Sequence, residues 1–245
     1  MIKFQLSLVL LTGTVALACV VPPVRAQSIE AGLNRLINIS EPIEIRTAAD
    51  VRLSEGQRLA QSGNLKGAIS LWQESLFLYD HLQDLQGLTQ TYEYLGLNHV
   101  QLNQWPEAEH AFRQQLAIAR SREDFQSQIY ALNNLGMMLL QNLNLGGAED
   151  TLKQALVIAK DTGNLRGQGL SLSNLGLVIY NQGNHQAAIN LYQQSLAFRQ
   201  RIQDYEGLTN TYNNLGDAYL ANQDYWGGDR EPIFWQNQRH RLGRF

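Results

Sequence analysis

The chain has 245 residues, 44% of them hydrophobic and 17% charged, and a formal net charge of −3. That length allows one or two domains with a sizeable core. The small negative balance, with no run of Lys or Arg, gives no footprint for nucleic acid.

The stretch from Met1 to Ala26 differs from the rest. Lys3 gives a short positive start, residues 4–21 are apolar or small, and Val24 and Ala26 stand at the small-residue positions before a cut. This pattern predicts a secretory signal peptide ending near Ala26, and hence a periplasmic or extracellular mature chain. Two alternatives stay open: a transmembrane anchor, for which the run is short and closed by Pro22-Pro23, and a lipoprotein with Cys19 as the lipid-bearing residue. Cys19 is the only cysteine, so a chain cut at Ala26 has no disulfide and no thiolate chemistry.

Residues 27–47 read as an irregular lead-in. From Ala48 a helical pattern begins, and with it a period. Leu-Gly falls at 95/96, 135/136, 175/176 and 215/216, at one constant spacing. Ala recurs at 68, 108, 148 and 188, and Leu at 76, 116, 156 and 196. A large side chain recurs at Trp72, Phe112, Leu152 and Tyr192, and a small residue at Gly87, Ser127, Gly167 and Gly207. Several columns in phase at such a period signal a solenoid.

Each unit reads as two helices. In 88–102, Leu88, Tyr92, Leu95, Gly96, His99 and Leu102 share one helical stripe. A second helix, about 105–121, carries Ala108, Phe112, Leu116 and Ala119. Breaks at 103–104 and 122–124, and their equivalents one period on, are rich in Gly, Asn and Asp, as short turns require. Nothing in 50–225 reads as a strand. The recurring glycine costs roughly 1 kcal/mol in a helix relative to Ala. The expected offset is close approach, with Gly96 facing Ala108 across a tight helix pair.

These columns resemble the tetratricopeptide repeat. The residues that carry the resemblance are Tyr92, Leu95, Gly96, His99, Ala108 and Phe112, then Leu132, Leu135, Gly136, Leu139, Ala148 and Leu152, then Leu172, Leu175, Gly176, Ile179, Ala188 and Tyr192. The standard repeat runs to about 34 residues and has a closing Pro that is missing here. The unit in this chain is longer and is similar to the extended repeat of kinesin light chain. The resemblance covers residues 48–226 and implies an all-α, right-handed solenoid of antiparallel helix pairs, with about four full repeats and the first helix of a fifth. Gly56 takes the glycine column in a weaker terminal repeat.

The face of each first helix opposite the packing stripe holds positions 90, 93, 94, 97, 100 and 101 and their equivalents. Among them only Glu93 and Asp217 are charged, fewer than a plain solvated face would carry. The resemblance implies that this face lines a groove for a peptide or partner protein. Candidate contacts are Asn133, Asn134, Met137, Gln141, Asn174, Leu177, Tyr180, Asn181, Asn213, Asn214 and Asp217. Carboxamides can pair with a peptide backbone, and Leu, Met and Tyr can take apolar side chains. No Lys or Arg stands at any of these positions, which disfavours a clamp for a terminal carboxylate. The alternative for Asn134, Asn174 and Asn214 is a structural ladder between repeats. Trp72, Trp105, Phe112 and Tyr192 read as core.

No catalytic constellation is found. The five histidines lack zinc-helix spacing, and the chain has neither a phosphate loop nor a nucleophile elbow. A binding protein without cofactor or metal is expected. Residues 227–245 leave the register, with Pro232 where an aromatic is due, and read as an irregular tail, a divergent cap or the product of truncation. The competing reading is therefore a structural repeat arm, or a fragment of a larger repeat protein such as one with a caspase-like peptidase domain, that self-associates through an uncapped end.

Overall fold

A computed structural model describes residues 23–222. The chain divides at residue 40 into two units. The described part of the first is a single helix, α1 (Pro23–Ile39). The second contains α2 (Pro42–Gln61), α3 (Leu65–His81), α4 (Leu85–Gln101), α5 (Trp105–Ser121), α6 (Phe125–Gln141), α7 (Leu145–Asp161), α8 (Leu165–Asn181), α9 (His185–Arg201) and α10 (Tyr205–Ala221). The expected signal peptide lies largely, and the 227–245 tail wholly, outside the described residues.

One expectation fails at the start. Residues 27–47 are not irregular: α1 fills most of them, and α2 begins at Pro42, six residues before Ala48. The reason is local. Glu41 and Glu44 close a reciprocal capping box around Pro42, whose fixed φ suits the first turn of a helix.

From α3 to α10 the helices are all the same length, and the same short turn separates each from the next. Two helices and two turns make one period of the sequence. Each turn repeats one geometry. The middle residue takes a left-handed backbone at Gly63, Gln83, Asn103, Glu123, Leu143, Gly163, Gly183 and Gln203, with φ between 53° and 85°. The third residue caps the next helix: Asn64, Asp84, Asp124, Asn144, Asn164, Asn184 and Asp204 each accept a backbone N–H from the helix's first turn. Gln104 alone makes no such bond.

The solenoid is all-α and right-handed, built of antiparallel pairs α2–α3, α4–α5, α6–α7 and α8–α9, followed by α10. The Ala column (68, 108, 148, 188) is wholly buried, as are Trp72, Phe112, Leu152 and Tyr192 at 2% exposure or less.

The recurring glycine lies closest to the bulky column that follows the alanines. A Cβ on Gly56 would overlap the Trp72 ring, and one on Gly96 the Phe112 ring. On Gly136 it would stand 2.6 Å from Leu152 Cγ, and on Gly176 2.7 Å from Tyr192 Cε1. The glycine thus makes room for the bulkiest side chain of the paired helix. Sequence spacing could not choose between the two columns, since both lie on the inward face of the second helix four residues apart.

Candidate partner-binding face

The opposite face of the first helices divides in two. Positions 90, 94, 97 and 101 and their equivalents stay partly or fully open to solvent. They read Gln90, Tyr94, Leu97 and Gln101 on α4; Tyr130, Asn134, Met137 and Gln141 on α6; Leu170, Asn174, Leu177 and Asn181 on α8; Asn210, Asn214, Asp217 and Ala221 on α10. The steps i, i+4, i+7 and i+11 hold these residues on one line along each helix. In α2 the same line supplies Asp50, Ser54, Gln57 and Gln61.

The remaining two positions turn toward the neighbouring first helix. Asn133 is only 2% exposed. Its Nδ2 donates to the Ile129 carbonyl at 2.8 Å and to Ser171 Oγ at 2.9 Å, and its Oδ1 accepts from Asn174 Nδ2 at 3.0 Å. Asn133 therefore leaves the set of candidate ligand contacts: a side chain so enclosed and so fully paired has nothing to offer a partner. Leu140 is buried on the same helix, and on α8 Ser173 pairs with Thr211 at 3.2 Å.

A polar ladder between repeats does exist, but it does not run from Asn134 to Asn174 to Asn214. It joins adjacent columns. Asn134 donates to Glu93 and Asn174 to Asn133, each one repeat back. Asn214 has no hydrogen-bond partner among the described residues. Asn134 and Asn174 thus each spend a donor on the ladder and remain half-buried. The diagonal pairing follows from the lateral offset of neighbouring first helices, which a one-helix projection does not contain.

The other candidates keep open surface. Gln141, Asn181, Asn213 and Asp217 are exposed, and Met137, Leu177 and Tyr180 are half-buried. Asn181 donates to the Leu177 carbonyl at 2.7 Å. Met137 and Leu177 pack against the core that joins α6, α7 and α8, and Tyr180 against the one shared by α9 and α10. These apolar members of the face are therefore anchored, while the carboxamides at its rim reach into solvent.

Two features were not visible in the sequence. Glu93 sits in the ladder, where burial raises its carboxyl above the usual range against the opposing bonds from Asn134 and Gln115. Tyr94 stacks on Trp72 with ring centroids 5.5 Å apart, so a core tryptophan stiffens an open tyrosine. Among the described residues no group of His, Cys, Asp and Glu could hold a metal ion, and no helix is long and apolar enough to cross a membrane.

A tetratricopeptide-repeat family model matches residues 127–201 and 167–226. These are tetratricopeptide repeats. The chain also resembles solved structures of the same architecture. BtubC from P. vanneervenii is 20% identical, with 91% of each chain covered and a TM-score of 0.68. A signal-transduction ATPase from Pyrococcus horikoshii with a tetratricopeptide repeat sensor is 15% identical over 81% of this chain and 31% of that one, TM-score 0.64. A putative kinesin light chain from Podospora anserina, with nearly identical tetratricopeptide-like repeats, is 18% identical over 76% of this chain and 90% of that one, TM-score 0.56. At these identities the likeness shows the fold. No curated protein matches the chain in sequence. The tetratricopeptide repeats suit protein–protein interaction.

Proposed function

We propose that the chain is an exported scaffold that binds a peptide or partner protein along the open face of its first helices. One observation carries this: in α4, α6 and α8 that line is wholly uncharged, with Leu97, Met137 and Leu177 beside the rim carboxamides Gln101, Gln141 and Asn181. The apolar side chains supply burial, and the rim amides supply donors and acceptors for a peptide backbone. Export rests on the apolar run of residues 4–21 and the small residues before position 27.

The test is capture from the host's exported proteins with the wild-type chain and with a Gln141→Arg/Asn181→Arg double variant. Both positions are exposed, so the fold tolerates the change. A partner held by the wild type and lost by the variant supports the groove. A partner held equally by both refutes it.

A second reading has its own observation. Tyr205 and Leu220 on α10 are 71% and 53% exposed, so the last described helix carries bare apolar surface suited to stacking on another copy. Sedimentation that depends on protein concentration, and is abolished by Leu220→Glu, would favour it.

A further inference from the structure

The first helices α2, α4, α6, α8 and α10 each carry the recurring glycine, and four of the five are filled. Gly56, Gly96, Gly136 and Gly176 are buried against Trp72, Phe112, Leu152 and Tyr192 of the helix that follows. Gly216 on α10 stands in the same column and is only half-buried. Leu208 is half-buried too, whereas Leu88, Gln128 and Gln168 in its column are buried. Tyr212 and Tyr219 lie on the same helical line as Leu208 and Gly216, and all three large side chains pack with one flank on the cluster shared with α9. On its inward side α10 therefore presents a half-open apolar stripe with a notch in its middle.

What fills such a notch is written four times in the molecule. Each seated helix brings a bulky side chain with Ala four residues before it and Leu four residues after it. On α9 these are Tyr192, Ala188 and Leu196, and on α5 Phe112, Ala108 and Leu116, all buried. One period beyond the α9 set the sequence reads Gly228, Pro232 and Gln236, which offers no apolar knob in that register. Proline in a helix interior also removes a backbone donor and clashes with the preceding turn. A second copy has no second helix to give among the described residues, because α3, α5, α7 and α9 already fill the glycines of their own pairs.

We infer that α10 is the receiving half of a repeat, and that its stripe docks one amphipathic helix of another protein, antiparallel to α10, with the pattern Ala-x-x-x-bulky-x-x-x-Leu. The bulky side chain enters the Gly216 notch. Antiparallel pairing sets the Ala toward Tyr219 and the Leu toward Leu208, in continuation of the packing that joins α8 to α9. This is recognition of a helix by an apolar groove, with the ligand's pattern dictated by the four seats already occupied. The stripe lies on the side of α10 opposite the uncharged line, so the inference goes beyond the groove proposed above and does not depend on it.

The probe is a fluorescent synthetic peptide with the sequence of residues 184–203, the helix that Gly176 already receives, titrated into the full chain and followed by anisotropy. Saturable binding is expected with a Kd below about 100 μM. Tyr192→Ala in the peptide, or Gly216→Leu in the chain, should each weaken it about tenfold or more. Exchanging knob and hole should compensate: the Gly216→Leu chain binds the Tyr192→Ala peptide more tightly than the unaltered one. Circular dichroism checks that Gly216→Leu keeps its helices. If it does not, the Tyr192→Ala peptide against the wild-type chain decides alone. No saturable binding to the wild type, or an affinity indifferent to Tyr192→Ala, overturns the inference. Binding lost on Gln141→Arg but kept on Gly216→Leu places the peptide in the groove, which overturns the seat on α10 and leaves the groove standing.

Discussion

Gly136→Ala is a one-carbon change whose sign the structure dictates. Ala is the better helix former by about 1 kcal/mol, so on a bare helix the substitution stabilises. Here the new Cβ would stand 2.6 Å from Leu152 Cγ and 2.8 Å from Cδ2, about 1 Å inside ordinary van der Waals contact. Leu152 is fully buried and cannot swing into solvent. Overpacking of this kind costs about 1–3 kcal/mol, which cancels the propensity gain and leaves a net loss of up to about 2 kcal/mol. The control is Gly146→Ala, at an exposed site where an added Cβ meets nothing within 4 Å; it should be neutral or stabilising by up to about 1 kcal/mol. In a Leu152→Ala background, itself about 2–5 kcal/mol less stable, Gly136→Ala should change sign and stabilise. Urea denaturation followed by circular dichroism reads all of these, with the slope checked because solenoids can lose two-state behaviour. A Gly136→Ala chain stabilised as much as the Gly146→Ala control, or one whose change in stability is the same with Leu152 removed, would refute the contact as the reason for the glycine.

Leu143 adopts φ of 60° at 85% exposure, a backbone that costs a β-carbon-bearing residue roughly 1–2 kcal/mol. Leu143→Gly should therefore raise stability by about 1 kcal/mol in the same urea titration, although it removes a large apolar side chain. Gln104 is the one turn residue that leaves the following helix uncapped, and its side chain bonds His99 at 2.7 Å instead. Gln104→Asp should add a cap worth about 1 kcal/mol, less whatever the His99 bond contributes, seen as a raised urea midpoint. Burial raises the Glu93 carboxyl above its ordinary 4.5, so its contribution to stability is fully present below about that pH and is lost as pH rises through the folded value. Glu93→Gln should remove that loss, making the chain more stable at neutral pH and flattening its pH–stability curve above pH 4.5. A curve that keeps the wild-type slope would show that Glu93 is not its source.

The repeat, its two helices and their turns were legible because the same residues recur at the same spacing. Asn and Asp at the turns announced the breaks, and the Ala and large columns announced the core. The left-handed turn residues were not legible where the sequence writes Gln, Glu or Leu rather than Gly, since position in the turn and not residue type sets that backbone. The helix start at Pro42 was missed because its signal, Glu41 with Glu44, stands outside the period. Of the open face, the line through Leu97, Met137 and Leu177 followed from helical geometry alone. Asn133 was misplaced because a single-helix projection puts it beside Asn134, whereas the next first helix covers one and not the other. Tyr192 showed in its column only as a large residue; that its hydroxyl is buried without a hydrogen-bond partner depends on how the neighbouring helices lie together.

The most direct test of partner binding places a photo-crosslinking amino acid at Gln141 on the open face and, separately, at Lys153 on an exposed position of a second helix, with both chains irradiated in the native host. The groove predicts a discrete adduct from position 141 and none of that mass from position 153. The same adduct from both positions, or one from position 153 alone, would contradict it.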